Sequence, residues 1–280
     1  MRIATRAGRT VLVSPDGATA VDVAKASDGA FGPDPRSVYD AWPEFVAWAA
    51  SVAGVAGDPL RPDELGPPSP DPRQVFAIGL NYRDHVLESG LQIPASPSVF
   101  TKFVGSFAGP VGELALPADT VDWEAELVVI IGRRADRVPA GDGWSRVAGL
   151  TVGQDYSERT LQLAGVPPQF SLGKSYRGFA PQGPWLVSPD ELPDSLTITC
   201  TINGETVQRG TTSQLIFGIP ELVERLSAVV PLYPGDVIFT GTPAGVGGTR
   251  TPPRFLRPGD VVETSVEGIG TLRQRCVATS

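Results

Sequence analysis

An apolar run preceded by alternating acids is the feature of this sequence that most constrains its fold. The stretch DWEAELVVIIG, residues 122–132, ends in five aliphatic residues and a glycine, a pattern typical of a strand buried on both faces. Successive side chains of a strand point to opposite faces, so Asp122, Glu124 and Glu126 are predicted to share one face. The chain must therefore place carboxylates at the mouth of a buried strand.

These acids can be explained in two ways. Neighbouring carboxylates repel each other and are costly to bury unless a cation neutralises them, which predicts a metal site. Oxygen ligands favour a hard ion, Mg²⁺ or Mn²⁺, and one histidine with two separate cysteines leaves too few ligands for zinc or haem. The alternative is a solvated strand edge, where the acids face water before the strand enters the core.

The rest of the chain predicts a mostly β protein with some helix, an α+β fold. Apolar runs ended by glycine or turn residues, at 75–80 and 237–242, are typical of buried strands. Asn203-Gly204 supplies the positive φ angles of a hairpin turn. Helices are predicted at 37–54 and 220–230. The first would have an apolar face formed by Phe45, Trp48 and Ala49 and would stop at Gly54. The second would have an apolar face formed by Leu222, Leu226 and Val229.

Proline density divides the sequence into three parts. Residues 1–56 predict a small N-terminal α/β domain, in which the alternating residues 2–24 form short strands. Residues 57–73 contain six prolines, which are expected to exclude helix and strand pairing, and this segment is predicted to be a semi-rigid connector. Residues 74–280 are predicted to form the larger domain.

Charge and hydropathy argue against several classes of protein. The net charge of −8 lacks the basic excess with which proteins bind nucleic acid. No apolar run approaches the roughly 20 residues of a membrane-spanning helix, and the first residues lack the apolar core of a signal peptide. We therefore expect a cytoplasmic protein with neither nucleic acid nor a membrane as a partner.

A further carboxylate lies in the stretch GLTVGQDYSERTLQ. Asp155 follows an apolar strand and is predicted to open a helical turn that places Arg159 and Gln162 on its own face. One surface would then carry a metal ligand, a cation suited to a carboxylate, and an amide. The alternative is that Asp155 caps the helix and Arg159 forms an ordinary ion pair.

The only histidine of the chain lies in the stretch GLNYRDHVLES. Asn81 is predicted to cap a helix on which His85 and Glu88, three residues apart, share a face. A carboxylate beside an imidazole fixes its tautomer and prepares it to take a proton from water. The alternative is a His–Glu pair on a surface helix with no catalytic role.

Nucleotide-binding and serine-hydrolase motifs are incomplete in this sequence. GKS at 173–175 lacks the first glycine of a phosphate loop, because Pro168 occupies its place. Arg250 occupies the third glycine position of the dinucleotide pattern, and no G-x-S-x-G elbow is present.

Five motifs, in this order and spacing, resemble those of the fumarylacetoacetate hydrolase family: GLNYRDH-x-x-E, DWEAEL, QDYSERTLQ, LGKSY and LYPGDVIFTGTPAGVG. The resemblance covers about residues 74–278 and implies that residues 74–280 form a catalytic domain. It further implies a β-sandwich roll, a homodimer and a bound Mg²⁺ or Mn²⁺ ion. A non-catalytic member would be expected to lose a metal carboxylate or the histidine, and this sequence keeps them.

The resemblance also implies roles for individual residues. Those that match metal ligands are Glu124, Glu126 and Asp155. Those that match a pair activating water in a closing segment are His85 and Glu88. Those that match contacts to the substrate's oxygens are Arg159, Gln162, Lys174 and Thr242, and Lys174 is also expected to assist catalysis by neutralising the substrate carboxylate.

The sequence departs from the family pattern at three positions. Gln154 stands where many members have asparagine, Phe170 where many have tryptophan, and Arg177 where the motif usually continues with aspartate. Arg177 adds positive charge near the rim of the site, which bears on the identity of the substrate and leaves the metal ligands intact.

The implied activity is Mg²⁺-dependent hydrolysis of a C–C bond in an acylpyruvate or other β-diketo acid, a small-molecule oxo-acid substrate. His85 would activate the water, and the metal would stabilise the enolate that leaves. The same chemistry serves decarboxylation of oxaloacetate-like acids, hydration and isomerisation, so these reactions are the alternatives.

Overall fold

The structure, a computed structural model, describes residues 1–52 and 57–279. The described residues form nineteen strands and six α-helices, which confirms the mostly β, α+β prediction. The strands are β1 (Arg2–Arg6), β2 (Arg9–Val13), β3 (Thr19–Asp22), β4 (Asp58–Pro59), β5 (Leu65–Gly66), β6 (Val75–Gly79), β7 (Ser98–Phe100), β8 (Phe107–Ala108), β9 (Val111–Leu116), β10 (Val121–Asp122), β11 (Ala125–Ile131), β12 (Val147–Gln154), β13 (Ser157–Glu158), β14 (Ala180–Val187), β15 (Thr197–Ile202), β16 (Glu205–Thr211), β17 (Val237–Phe239), β18 (Val261–Val266) and β19 (Gly270–Ala278). The helices are α1 (Val23–Ala26), α2 (Pro35–Asp40), α3 (Trp42–Ser51), α4 (Arg83–Glu88), α5 (Arg159–Gln162) and α6 (Ile219–Ser227).

Two large sheets pack against each other. The first has twelve strands in the order β4-β3-β2-β1-β14-β12-β11-β17-β6-β7, with β5 beside β1 and β8 beside β14. The second has five strands in the order β16-β15-β18-β19-β9, and β10 pairs with β13 outside both. Strands β12 and β14 contact β18 and β19, and a continuous apolar core fills the space between the sheets. The predicted hairpin is β15–β16, where Asn203 and Gly204 have φ angles of 53° and 82°.

Strand β11 contributes to two separate cores. Leu127, Val129 and Ile131 point into the core between the sheets, whereas Val128 and Ile130 point into a second core beneath helices α2 and α3. All seven residues of the strand are buried, as predicted for a strand covered on both faces. Its neighbours β12 and β17 supply its hydrogen-bond partners. Because the whole strand is buried, Glu126 within it and the two acids just before it, Asp122 and Glu124, are buried as well.

The N-terminal strands extend the first sheet. The short strands predicted within residues 2–24 are confirmed, and β1 pairs directly with β14, with Arg2 opposite Val187. In the proline-rich segment 57–73, β4 pairs with β3 and β5 pairs with β1. The prediction that prolines exclude strand pairing there is therefore wrong, because β4 lies at the sheet edge, where Pro59 needs no partner for an N–H. The division into separate domains stays a prediction.

The helix predicted at 37–54 is two helices in the structure. Helix α2 ends and α3 begins where Pro43, which has no N–H to donate, fits only the first turn of a helix. The predicted apolar face is confirmed, with Phe45 and Ala49 buried and Trp48 partly buried against them.

The helix predicted at 220–230 is α6, and it ends earlier than expected. Leu222 and Leu226 are buried as predicted, but Val229 lies beyond the end of the helix and is 85% exposed. The helical stop predicted at Gly54 lies outside the described residues. Among the described residues, none of the helices has the length and apolar character needed to cross a membrane.

Because β1 is hydrogen-bonded to β14, we expect the N-terminal segment to unfold together with the rest of the protein. Ile3 is buried, and Ile3→Ala should lower the free energy of unfolding by about 2–4 kcal/mol. Urea unfolding followed by far-ultraviolet circular dichroism and by tryptophan fluorescence should show one transition that shifts as a whole. Val229→Ala, at an exposed side chain, should change the free energy by less than about 0.5 kcal/mol. Two transitions, only one of which Ile3→Ala shifts, would instead indicate an N-terminal domain that folds alone.

Candidate metal centre and substrate cavity

Three carboxylates converge at the ends of two neighbouring strands. Glu126 lies in β11, Glu124 in the short break between β10 and β11, and Asp155 directly after β12. Strands β11 and β12 are antiparallel, with Ala125 opposite Gln154, so the start of one meets the end of the other. The ligand oxygens lie within 4.8 Å of one another, and all three residues are buried. The alternative of a solvated strand edge is therefore excluded.

Two buried glutamine side chains hold the break between β10 and β11. Gln154 Oε1 accepts from the backbone N–H of Glu124 at 2.8 Å, and Gln208 Oε1 accepts from that of Ala125 at 3.0 Å. Gln208 comes from β16 of the second sheet, and Gln154 donates to the Thr264 hydroxyl of β18 at 2.8 Å. The position of Glu124 therefore depends on how the two sheets pack. Sequence reasoning missed Gln208, because nothing local distinguishes it from other polar residues of a hairpin.

Two buried lysines neutralise part of the carboxylate cluster. Lys174 Nζ lies 2.7 Å from oxygens of both Glu124 and Asp155. Lys102 Nζ donates to the other oxygen of Asp155 at 2.5 Å and also to the backbone carbonyl of Lys174. Lys102 was not predicted, since it follows β7 in a stretch without a motif, and only the fold brings it to the site.

Arg159 joins the cluster to Asp122. Its guanidinium donates to Asp122 at 2.7 and 2.9 Å, to Glu124 at 2.6 Å and to Gln162 at 2.8 Å. The backbone N–H groups of Gly247 and Gly248 also donate to Asp122. Asp122 thus fixes Arg159 and the glycine loop, and it stands apart from the three clustered carboxylates.

The helix near Asp155 differs from the prediction. Helix α5 begins at Arg159, and its cap is Glu158, whose side chain accepts from the N–H groups of Thr160 and Leu161. Asp155 therefore neither opens nor caps the helix, because β13 pairs with β10 and keeps the chain extended up to Glu158. The predicted proximity of Arg159 and Gln162 is present. The acid partners of Arg159 are Asp122 and Glu124, which lie at the end of β10 and just after it.

Carboxyl groups outnumber cations in and around the cluster. With Asp122, which contacts the cluster through Arg159, four carboxyl groups and three cations lie together: Asp122, Glu124, Glu126 and Asp155 with Arg159, Lys102 and Lys174. Burial opposes the ionisation of Glu124, but the charges of Lys174 and Arg159 outweigh it and lower the pKa of this carboxyl to about 2. Glu124 is therefore a carboxylate at neutral pH.

Glu126 is the member of the cluster that lacks a cation. It accepts from the N–H of Gly241 at 2.8 Å and pairs with no lysine or arginine among the described residues. Burial, and then the nearby Asp155 and Glu124, raise the pKa of Glu126 well above its usual range. A buried, oxygen-only and under-neutralised cluster fits a hard divalent cation, which Glu124, Glu126 and Asp155 would hold.

Helix α4 carries the predicted His–Glu pair. His85 Nδ1 and Glu88 Oε1 are 2.7 Å apart, and Glu88 Oε2 accepts from the N–H of Gly245 at 2.9 Å. His85 is only 9% exposed, so its imidazole is not solvated, and the catalytic role of the pair stays a prediction. Asn81 does not cap the helix, contrary to the prediction. Its buried side chain instead bonds backbone groups of two loops that meet beside α4.

One cavity of about 430 Å³ connects these groups. The predicted site residues that line it are His85, Glu124, Arg159, Gln162, Lys174 and Thr242. The Thr242 hydroxyl is already engaged, since it donates to the carbonyl of Ala125 at 2.9 Å and accepts from Gln208 at 2.8 Å. Among the departures from the family pattern, Phe170 lines the cavity, whereas Arg177 is exposed and outside its lining.

The isolated charge of Glu126 predicts separate effects on stability and on metal binding. Glu126→Gln replaces a carboxyl group whose ionisation is opposed by burial and by Asp155 and Glu124 with a neutral amide of nearly the same shape, so the free energy of unfolding in chelator should equal or exceed that of the wild type. Mn²⁺ at about 100 times its Kd should stabilise the wild type by about 2.7 kcal/mol and the variant far less. Urea unfolding with chelator and with Mn²⁺ measures both quantities.

The matched control is Glu113→Gln, a change at an exposed acid, which should keep the full stabilisation by Mn²⁺. Undiminished stabilisation of Glu126→Gln would contradict the assignment of this carboxylate as a ligand.

Comparison with known proteins identifies the family of this chain. A family model, fumarylacetoacetate (FAA) hydrolase C-terminal, matches residues 74–277. The chain is similar to human oxaloacetate tautomerase FAHD2A, mitochondrial, at 43% identity over 210 residues, 74% of this chain and 67% of that one. It is similar to the crystal structure of a candidate HpcE protein from Mycobacterium smegmatis, with 54% identity and a TM-score of 0.95 over the whole of both chains. It is also similar to maleylpyruvate hydrolase from Sphingobium sp. SYK-6 in complex with manganese(II) and pyruvate, with 29% identity and a TM-score of 0.80 over the whole of both chains. This chain belongs to the fumarylacetoacetate hydrolase family and has its fold.

Proposed function

We propose that this protein is a hydrolase that uses Mg²⁺ or Mn²⁺ to cleave a C–C bond in an acylpyruvate or related β-diketo acid. The observation that carries this proposal is the position of the His85–Glu88 pair, which opens onto the same cavity as Glu124 of the buried carboxylate cluster. A base and an electrophilic centre that face one cavity are what hydrolysis of such a substrate requires. The manganese and pyruvate in the structure of maleylpyruvate hydrolase support the same chemistry here.

The head of the substrate would bind at the charged end of the cavity. A bound Mg²⁺ or Mn²⁺ supplies Lewis acid chemistry toward the oxygens of a 2-oxo acid. Lys174 uses two of its N–H donors on Glu124 and Asp155, which leaves one for the substrate carboxylate. Gln162 accepts from Arg159 through Oε1, so its amide NH₂ is free to donate to a substrate oxygen. Held in this way, the substrate extends its distal carbonyl toward His85.

His85 then acts as the base. With Nδ1–H donated to Glu88, the lone pair lies on Nε2, which takes a proton from water. The hydroxide adds to the distal carbonyl carbon, and the bond between that carbon and the neighbouring CH₂ of the pyruvate unit breaks. The electron pair stays on the pyruvate carbon, which takes a proton back from the imidazolium of His85. The products are a carboxylic acid and pyruvate.

Removal of the base should abolish most of the hydrolysis. We expect His85→Ala to lower kcat by about 100- to 10,000-fold, and Glu88→Gln by a smaller factor, because it misorients the imidazole. The loss of enol absorbance of an acylpyruvate and the release of pyruvate, measured together in Mg²⁺ or Mn²⁺, report the rate. Leu87→Ala, an exposed position on the same helix, should keep the wild-type rate. No metal-dependent turnover of any acylpyruvate by the wild type would rule the proposal out.

A second candidate function is proton transfer or decarboxylation on an oxaloacetate-like acid. The observation in its favour is the similarity to human oxaloacetate tautomerase FAHD2A. His85 could move a proton between carbon and oxygen of such an acid without adding water, on the same charged site. The cavity of about 430 Å³ is large for an acid of four carbons, which favours the longer substrate of the first proposal. Hydration and isomerisation of a 2-oxo acid would use the same groups.

The two candidates leave different products. We expect the kcat/KM for an acylpyruvate to exceed that for oxaloacetate by at least about tenfold, with one pyruvate released for each enol lost. Tautomerisation would remove the enol absorbance of oxaloacetate without pyruvate, and decarboxylation would release pyruvate and CO₂ from it. Faster processing of oxaloacetate than of every acylpyruvate tested would favour the second candidate.

We further infer a homodimer that acts on a small-molecule oxo acid, as the family resemblance implies. Light scattering during size-exclusion chromatography would test the oligomeric state, and a monomer would contradict it. The human relative is named as mitochondrial, so the cytoplasmic location stays a prediction for this protein.

A further inference from the structure

We propose that the cavity selects 2-oxo acids with an uncharged, apolar tail over those that carry a second carboxylate at the far end. This inference rests on the proposed function for the position of the oxo-acid head. It differs from what the names of two relatives suggest, since oxaloacetate and maleylpyruvate are both dicarboxylic acids.

The first observation is an aromatic wall that begins at the charged end of the cavity. Lys174 Nζ lies 5.1 Å from the ring centroid of Phe100, and the ring of Phe170 meets that of Phe100 edge-on with centroids 5.7 Å apart. A substrate whose carboxylate is held by Lys174 therefore meets apolar surface as soon as it leaves the charged head. The apolar side chains that line the cavity include Leu91, Phe100, Leu163, Phe170, Val246 and Phe255.

The second observation is the state of the cations. Among the described residues, the cavity lining contains one lysine, Lys174, and one arginine, Arg159. Lys174 is paired with Glu124 and Asp155, and Arg159 with Asp122 and Glu124. His85 also lines the cavity, and its Nδ1 is engaged by Glu88. Lys174 and Arg159 are needed at the head, so a second carboxylate that extends past His85 would enter the apolar part of the cavity without a lysine or arginine partner. Desolvation of an unpaired carboxylate is strongly unfavourable.

Three arginines outside the cavity do not change this balance. They line a neighbouring open depression, which shares Phe255 with the cavity: Arg250, Arg254 and Arg257. Arg250 donates to two backbone carbonyls, and Arg254 pairs with Glu205. Arg257 is exposed and does not line the cavity. Phe255 thus presents an apolar ring, and no guanidinium, to a bound tail.

The inference can be tested by binding alone, independently of turnover. The probes are 2-oxooctanoate and 2-oxooctanedioate, which have the same length, lack the distal carbonyl needed for cleavage and differ only in a terminal methyl or carboxylate. Titration calorimetry in saturating Mn²⁺ should give a Kd at least about tenfold lower for the methyl-ended acid. Equal affinity, tighter binding of the dicarboxylate or binding of neither acid would overturn the inference. Failure of acylpyruvate hydrolysis with this preference intact would count against the proposed reaction alone.

A positive charge placed at the cavity lining should weaken the preference. Leu163 lines the cavity and is 57% exposed, so Leu163→Arg can be accommodated by the fold while it offers a cation to a tail. We expect it to reduce the preference for the methyl-ended acid at least about fivefold, mainly by tightening the dicarboxylate. Val166→Arg is the matched control, since it adds the same charge three residues away at a fully exposed side chain outside the lining. Equal shifts in both variants would mean that general charge, rather than the wall, sets the preference, and would overturn the inference.

Discussion

The site depends on the neutralisation of carboxylates that the fold buries. Strand β11 is covered on both faces, so the acids at its start cannot remain in water. Lys174 bridges Glu124 and Asp155, and Arg159 bridges Glu124 and Asp122, so each cation serves two acids. These cations are still fewer than the carboxyl groups, and Glu126 pairs with none of them, which is the physical reason that a divalent cation fits.

The geometry of this cluster is set by both sheets and by the loops between them. The first sheet supplies the carboxylates, and the second supplies Gln208, which binds the backbone of Ala125 and the hydroxyl of Thr242. Helix α4 is tied to the loop after β17 through Glu88 and Gly245. The His85–Glu88 pair, the clustered carboxylates and the cavity wall therefore come from segments far apart in the chain, and their relative positions rest on how the sheets pack.

The charged end of the cavity is compatible with several reactions of 2-oxo acids, and relatives with different named activities share this fold. What differs between such reactions is where a proton goes and what lies beyond the oxo-acid head. In this protein, His85, which is oriented by Glu88, bears on where the proton goes. The wall formed around Phe100 and Phe170 bears on what lies beyond the head. The clustered carboxylates by themselves carry no information about either.

The sequence by itself determined the features that arise from local periodicity and from ordered motifs. The burial of β11, the hairpin at Asn203-Gly204 and the His85–Glu88 contact follow from spacings of two to four residues, which a strand, a turn or a helix converts directly into geometry. The motifs also placed the chain in its family.

Only the tertiary structure decided which groups from distant segments meet. Lys102 and Gln208 carry no local signal, and they reach the site because β7 ends beside Asp155 and β16 passes beside the backbone of Ala125. The failed predictions at Asn81 and Asp155 have the same cause. Each residue has a side chain suited to a helix cap, but each is buried beside another segment and hydrogen-bonds to that segment instead. Local propensity is worth about 1 kcal/mol, and the desolvation of a buried amide or carboxylate exceeds it, so long-range contacts prevailed.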